Sequence, residues 1–454
     1  MTDDTTLVIL GASGDLTSRL LLPALGQLLI REPARRVRLL GAAIEDGDDD
    51  RWRDVVRTAF ATVGAESAYD RVAATTYRRA DITDPDDLRS LLMDAGDRPI
   101  LYFAVPPAVT TRACDALAGI HVPAGTVLAL EKPFGSDEAS ARALNRVLTG
   151  IVPEEQVFRI DHFLGRSTTL NLLGARFANR VLEPVWSADH VESVVIRYDE
   201  TLGLEGRAGY YDRAGALVDM LQSHLLQVMA VLAMEPPSTL GERDMRDARC
   251  AVLRATRVWH DDPVAGSRRA RYAAGTVQGT AVPDYVDEPG VDPARQTETL
   301  AEMTCEIRTA RWAGVPFTLR SGKAIGARHT EIVVRFKPVR HLPTGFTGSA
   351  DGSVLRFTLG PDEMSLELNI NGPGDPLHLD RAALTARLGE GQLLAYGEVL
   401  SGILDGDAAL AVRGDAAEES WRIVQPVLDA WRRGDVPLDE YPAGSGGPAA
   451  WPEL

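Results

Sequence analysis

Three groups of residues in this 454-residue chain have types and spacings that could do chemistry. Gly11-Ala12-Ser13-Gly14-Asp15-Leu16 follows a short apolar run, Leu7–Leu10, and opens a segment of helical periodicity reaching Leu29. Glycines at such a turn let the backbone bend sharply and approach a phosphate, which a helix N-terminus then favours electrostatically. The same spacing also serves as a plain turn between a strand and a helix. A second group, Ile44-Glu45-Asp46, ends the next apolar run. A carboxylate there would accept from a ribose 2′-hydroxyl and repel a 2′-phosphate, and no Arg adjoins it in sequence to receive one. Alternatively, these acids open a solvated loop that Asp48–Asp50 continue. The third group lies in the helical stretch Ala216–Met234. On a helical wheel Asp219, Ser223 and Gln227 share one stripe, and His224 lies roughly 100° round from Ser223. Leu221, Leu225 and Val228 flank that stripe, so it crosses an apolar surface instead of forming a solvated face.

Other chemistries find little support. Eight His residues show no metal-ligand spacing, so no metal is expected. Cys114, Cys250 and Cys305 are odd in number and far apart, which excludes a disulfide framework. The formal net charge of −17 argues against a nucleic-acid partner. The start, Met-Thr-Asp-Asp, lacks the positive charge of a signal peptide. The apolar stretch Leu225–Met234 is broken by Gln227 and is about half the length of a membrane span. A cytoplasmic protein with no membrane attachment is expected.

Elements that would position these residues follow from periodicity. Leu7–Leu10, Val37–Leu40, residues 98–105 and residues 126–130 are short apolar runs alternating with helix-like segments, the pattern of a parallel sheet with helices on both faces. Beyond residue 160 the pattern changes. Glu331–Phe336 and Met364–Ile370 alternate or carry β-branched residues, as antiparallel strands do, and Leu300–Ala310 is a further extended segment. Residues 260–297 look like long surface connections, and the segment after Tyr441 like a tail rich in Pro, Gly and Ala. Two domains result, 1–160 and 161–454.

More specific motifs occur in order along the chain. They are Glu131-Lys132-Pro-Phe-Gly135, Arg159-Ile-Asp161-His162-Phe-Leu-Gly-Arg166, Gly209-Tyr-Tyr-Asp212 leading to Asp219-Met-Leu-Gln-Ser-His224, and residues 311–323 ending in Lys323. With the Gly11 turn they resemble the glucose-6-phosphate dehydrogenase family from residue 6 to about residue 448. The resemblance implies an α/β plus α+β architecture: an N-terminal Rossmann dinucleotide-binding domain and a larger β+α domain with an antiparallel sheet. That sheet usually makes a homodimer or a dimer of dimers. It also implies oxidation of the C1 hydroxyl of a sugar 6-phosphate to the lactone, with hydride passing to NAD or NADP. By resemblance His224 is the catalytic base and Asp161 the carboxylate that orients it. His162 and Arg166 belong to the phosphate pocket, and Lys132, Glu200, Asp219, Lys323 and Arg328 contact sugar or phosphate. Lys132 also touches the cofactor, alongside Gly11 to Leu16 and Glu45. These types suit the chemistry. An imidazole can take the hydroxyl proton as hydride leaves, and a carboxylate steadies the imidazolium. A protein of net charge −17 must concentrate cations where an anion binds.

Departures from the family pattern fall inside these motifs. Leu20 stands where a basic residue is usual and Ile44 where an Arg reads the 2′-phosphate of NADP. Phe163 replaces a Tyr, Arg166 a Lys, Ser167 a Glu and Leu170 a Gln. Losing one charge-assisted pair would cost NADP about 1.5–3 kcal/mol, so a preference for NAD, or use of both, is expected. Leu20, Phe163, Ser167 and Leu170 also admit a paralogue that acts on another sugar phosphate. A non-catalytic regulator on the same scaffold is the remaining alternative. Retention of His224, Asp161, Lys132 and Lys323 argues against it.

Overall fold

The computed structural model describes residues 5–453 apart from 207, 360, 361, 390 and 392. Two compact units emerge. The first comprises 1–167, 237–250 and 391–419; the second comprises 168–236, 251–390 and 420–454. The first unit therefore extends past a boundary at residue 160 and draws in two later segments.

The first unit holds six parallel strands: β1 (Thr6–Leu10), β2 (Arg38–Ala43), β3 (Thr76–Arg79), β4 (Pro99–Phe103), β5 (Val127–Leu130) and β6 (Val157–Arg159). Their order is β3-β2-β1-β4-β5-β6, the Rossmann arrangement. β1 is buried at all five positions, as a continuous apolar run covered on both faces must be. Five helices alternate with these strands: α1 (Leu22–Arg31), α2 (Asp49–Ala61), α3 (Pro85–Ala95), α4 (Pro107–Ala118) and α5 (Glu138–Ile151). Side chains cap three of their starts, Asp48 that of α2. Asp84 caps α3, and Asp137 with Ser140 forms a capping box on α5. The late helix Ala395–Asp405 packs on α1, and Leu393, Val399, Leu400 and Ile403 share one apolar cluster with Leu25, Leu28 and Leu29.

The second unit is organised on one large sheet. Its strands are β7 (Val191–Asp199), β8 (Thr256–Val258), β9 (Ser267–Ala273), β12 (Leu300–Ile307), β13 (Phe317–Gly322), β14 (His329–Phe336), β15 (Thr347–Gly348), β16 (Val354–Leu359), β17 (Asp362–Asn371), β18 (His378–Arg387) and β19 (Leu438–Pro442). A separate hairpin pairs β10 (Gly275–Val277) with β11 (Thr280–Val282). The large sheet runs β15-β18-β17-β16-β14-β7-β13-β12-β9-β19, with β8 beside β12. Most pairs are antiparallel, but β7–β13, β9–β19 and β15–β18 are parallel, so the sheet is mixed.

Two stretches depart from the periodicity reading. Residues 260–297 contain β9 and the β10–β11 hairpin, because alternation there is masked by frequent Asp, Pro and Gly. The segment after Tyr441 is no loose tail. Gly444 N–H donates to the Ala324 carbonyl at 2.8 Å, Arg320 to the Gly446 carbonyl at 2.6 Å, and Trp451 Nε1 to Asp439 at 2.8 Å. Gly444 is there for close approach: a Cβ on it would stand 2.0 Å from the Thr276 oxygen. The run Ala208–Ala233 has the length and apolarity of a membrane span, longer than the Leu225–Met234 stretch suggested, yet 83% of its most apolar window is buried, as in a core helix.

Candidate active site

β1 delivers the chain to the glycine turn. Gly11 and Ala12 donate N–H bonds to the Ala42 carbonyl at 2.8 and 3.0 Å, and Thr17 Oγ1 donates to the Gly11 carbonyl at 2.9 Å. Gly11 has φ +101°, and a Cβ there would lie 2.3 Å from the Ala104 oxygen, just past β4. Only glycine lets the loop cross here. The crossing between β1 and β4 is where strand order reverses, the place at which open α/β sheets bind ligands. Asp15 is exposed, Leu16 is half-buried, and together they begin the helix that leads to α1. This cradle fits a dinucleotide.

Glu45 is tied to the same turn: Ser13 Oγ donates to its Oε2 at 2.7 Å. Asp48–Asp50 are not a free acidic loop but the start of α2. Asp48 accepts from Arg51 N–H, Asp49 accepts from Tyr77 N–H at 2.7 Å, and Asp50 pairs with Arg53 at 3.0 Å. Folding also supplies a cation that sequence adjacency hid. Arg79, at the end of β3, donates from Nε to the Ile44 carbonyl at 3.2 Å and stands 3.3 Å from Asp46.

Neighbouring strands β5 and β6 present the next group at their C-terminal ends. Glu131 and Lys132 follow β5, and the Lys132–Pro133 peptide is cis. Glu131 accepts from the Tyr102 hydroxyl at 2.6 Å and the Tyr396 hydroxyl at 3.5 Å. Burial pushes its pKa up to about 7, against those bonds and Lys132. After β6, Asp161 is buried and accepts from Phe163 N–H at 2.9 Å. Burial lifts its pKa to about 6, opposed by His162, that N–H, Lys132 and Arg249. His162 lies nearly parallel to Tyr396, with ring centroids 5.4 Å apart. The Arg166 guanidinium sits 4.1 Å from the Phe163 ring centroid, a cation–π contact that fixes where the fork points.

In the second unit the parallel pair β7–β13 makes the arrangement. Its register sets Asp199 against Gly322, so the next residues, Glu200 and Lys323, emerge side by side and Lys323 Nζ donates to Glu200 Oε2 at 2.8 Å. Lys323 also faces the Tyr211 ring at 5.0 Å, and its carbonyl accepts from the Tyr441 hydroxyl at 2.7 Å. Arg328 stands exposed before β14, and among the described residues no hydrogen bond or ion pair joins it to Glu200 or Lys323.

Asp219 and His224 lie on Leu217–Leu225, which has π-helical turns before α-helix resumes at Leu226. The wheel reading assumed α-geometry. In π turns the i→i+5 bond stacks residues five apart, so Asp219 and His224 lie one turn from each other. His224 is buried and Asp219 half-buried, with the Tyr210 hydroxyl hydrogen-bonded to Asp219 and Ser223 Oγ donating to the Asp219 carbonyl at 2.5 Å. Leu221, Leu225 and Val228 are fully buried, as their positions required.

This helix begins against a residue that motif reading missed. Glu298 Oε1 accepts from Leu217 N–H at 3.0 Å, and burial pushes its pKa up to about 7 against that bond. Gly215 has φ +66°, and a Cβ on it would come within 2.2 Å of the same carboxylate. Glu131 lay inside a recognisable motif, whereas Glu298, Tyr396 and Arg79 gave no periodic or spacing signal.

Known proteins resemble this chain along its whole length. Residues 8–171 match the NAD binding domain of glucose-6-phosphate dehydrogenase, and residues 173–454 match its C-terminal domain. A glucose-6-phosphate 1-dehydrogenase of Gluconobacter oxydans is 39% identical, covering 97% of this chain and 94% of its own length. That of Mycolicibacterium smegmatis is 36% identical over 98% and 94%. Among solved structures, glucose-6-phosphate 1-dehydrogenase from Mycobacterium avium superposes with a TM-score of 0.85 at 34% identity, covering 98% of this chain and 95% of that one. A glucose-6-phosphate dehydrogenase in complex with glucose 6-phosphate gives 0.87 at 28% identity, covering 99% and 96%.

Proposed function

The chain belongs to the glucose-6-phosphate dehydrogenase family, and we propose that it oxidises the C1 hydroxyl of glucose 6-phosphate to the lactone, with NAD or NADP as hydride acceptor. One observation carries this most: Gly11, Glu45, Lys132 and Asp161 all follow the C-terminal ends of parallel strands, where Rossmann sheets bind. A bound nicotinamide supplies the hydride acceptor. The protein supplies the rest. His224 takes the hydroxyl proton, since a hemiacetal is too weakly acidic to ionise unaided at neutral pH. Asp161 is its carboxylate partner. His162 and the Phe163-steadied Arg166 bind the phosphate, and Arg suits that task through its fork. Lys132, Glu200, Asp219, Lys323 and Arg328 hold the sugar or phosphate.

Ile44 and the Ser13-anchored Glu45 support NAD as the preferred cofactor. A homodimer is supported by β17 and β18, half-exposed or exposed along their length, with Ile370 and Leu384 presented outward. Sedimentation would test that assembly, and cell fractionation a cytoplasmic location. The decisive experiment follows nicotinamide absorbance with NAD and NADP against a panel of sugar phosphates and free sugars. Highest kcat/KM on glucose 6-phosphate is expected. Preference for another sugar phosphate would favour the paralogue, and no turnover with any would favour a regulator.

A further inference from the structure

We infer that Arg79 and Asp46 together set the choice between NAD and NADP: Arg79 is the cation that takes a 2′-phosphate, and Asp46 the carboxylate that competes for it. This rests on the Gly11–Gly14 turn being the dinucleotide site, and it names the residues that tune that site.

Position comes first. Ser13 fastens Glu45 beside the glycine turn, so the carboxylate stands at the end of β2, where the ribose 2′ position is read. Arg79 reaches the same few residues from β3, which pairs in parallel with β2, Ala43 opposite Arg79. Its Nε lies 3.2 Å from the Ile44 carbonyl and 3.3 Å from Asp46 Oδ1. The cation missing at position 44 is thus supplied by the next strand.

Two neighbouring arginines are directed elsewhere. Arg78 donates to Asp94 at 2.7 Å, and Arg53 is engaged by Asp49 and Asp50 on α2. Arg79 and Asp46 are 68% and 91% exposed, and so open a pair contributes little that a competing anion could not displace. A phosphate dianion can grip a guanidinium with two parallel bonds, which one oxygen of Asp46 at 3.3 Å does not. Opposing this are Glu45 and Asp46, two carboxylates beside the loop with which an incoming dianion must compete. Preference for NAD then belongs to Asp46 as much as to Ile44, and it is reversible by one substitution.

The test is binding, free of any assumption about the sugar. NADH and NADPH are titrated by nicotinamide fluorescence into the full chain, Asp46→Asn, Arg79→Gln and the double variant, with circular dichroism confirming folding. The readout is the ratio of the two Kd values. Freeing one charge-assisted pair should move the ratio towards NADPH by about tenfold in Asp46→Asn, and Arg79→Gln should move it the other way by about fivefold. The double variant should lose the gain. A ratio unchanged in Asp46→Asn, or a gain retained in the double variant, would overturn the inference while leaving the dinucleotide site intact. Binding of neither nucleotide to the parent would remove that site, and the inference with it.

Discussion

Replacing Glu298 by Gln should stabilise the protein slightly in mild acid and more strongly above neutrality. The carboxyl is 7% exposed and faces Leu217 N–H, and burial lifts its pKa from an ordinary 4.5 to about 7. The folded state thus holds a proton that the unfolded chain has released. Stability from that proton is complete below about pH 4.5 and drains away as pH rises to about 7. At about 1.4 kcal/mol per pH unit the loss amounts to roughly 3 kcal/mol. Gln presents the same acceptor without the charge, so the gap between variant and parent should open from about 1 kcal/mol at pH 5 to about 3 kcal/mol at pH 8. For units of 150–250 residues that corresponds to roughly 6–12 °C in melting temperature. Thermal melts followed by circular dichroism across pH 5 to 8 measure it directly. Glu298→Ala, which lacks any acceptor, should melt lower throughout. A parent–Gln gap that stays flat over the range would refute the reasoning, because it would mean that Glu298 does not titrate there.

Three further outcomes concern turnover. His224→Asn should lower kcat at least a hundredfold, within the range of general-base contributions, while NADH titrations give a Kd close to the parent's. The role proposed for Asp161 requires its ionised form, and burial lifts its pKa to about 6. The pH profile of kcat/KM should therefore rise through about pH 6, and a profile flat from pH 5 to 7 would count against that role. Phe163→Leu removes the ring beneath Arg166 and should raise KM for the sugar phosphate about threefold or more with little change in kcat, cation–π contacts contributing about 0.5–2 kcal/mol.

What the sequence exposed and what it hid divide along physical lines. Leu7–Leu10 and the runs near residues 37, 98 and 126 are apolar because both sheet faces are covered, so four of the six parallel strands were legible, while the edge strands β3, polar and partly exposed, and β6, three residues long, were not. Gly11 was legible because one backbone conformation demands it. Glu200 and Lys323 meet only because β7 and β13 pair in parallel, a contact across 123 residues that no local pattern announces. Arg79 reached Ile44 through strand pairing in the same way. The placing of Asp219 and His224 failed differently, since a helical wheel presumes α-turns and cannot register the π-turns of Leu217–Leu225.

The discontinuous make-up of the first unit governs how it can come into being. Leu393, Val399, Leu400 and Ile403 complete the apolar cluster that begins at Leu7, and α1 rests on the helix Ala395–Asp405. During synthesis the N-terminal sheet emerges early but keeps an open apolar flank until that helix leaves the ribosome. The domain begun first cannot be completed until residues 391–419 have been made. A fragment cut at residue 167 would carry the glycine turn and six strands yet lack this wall. An isolated nucleotide-binding half would therefore need residues 391–419 supplied with it, joined to the fragment or added as a separate peptide.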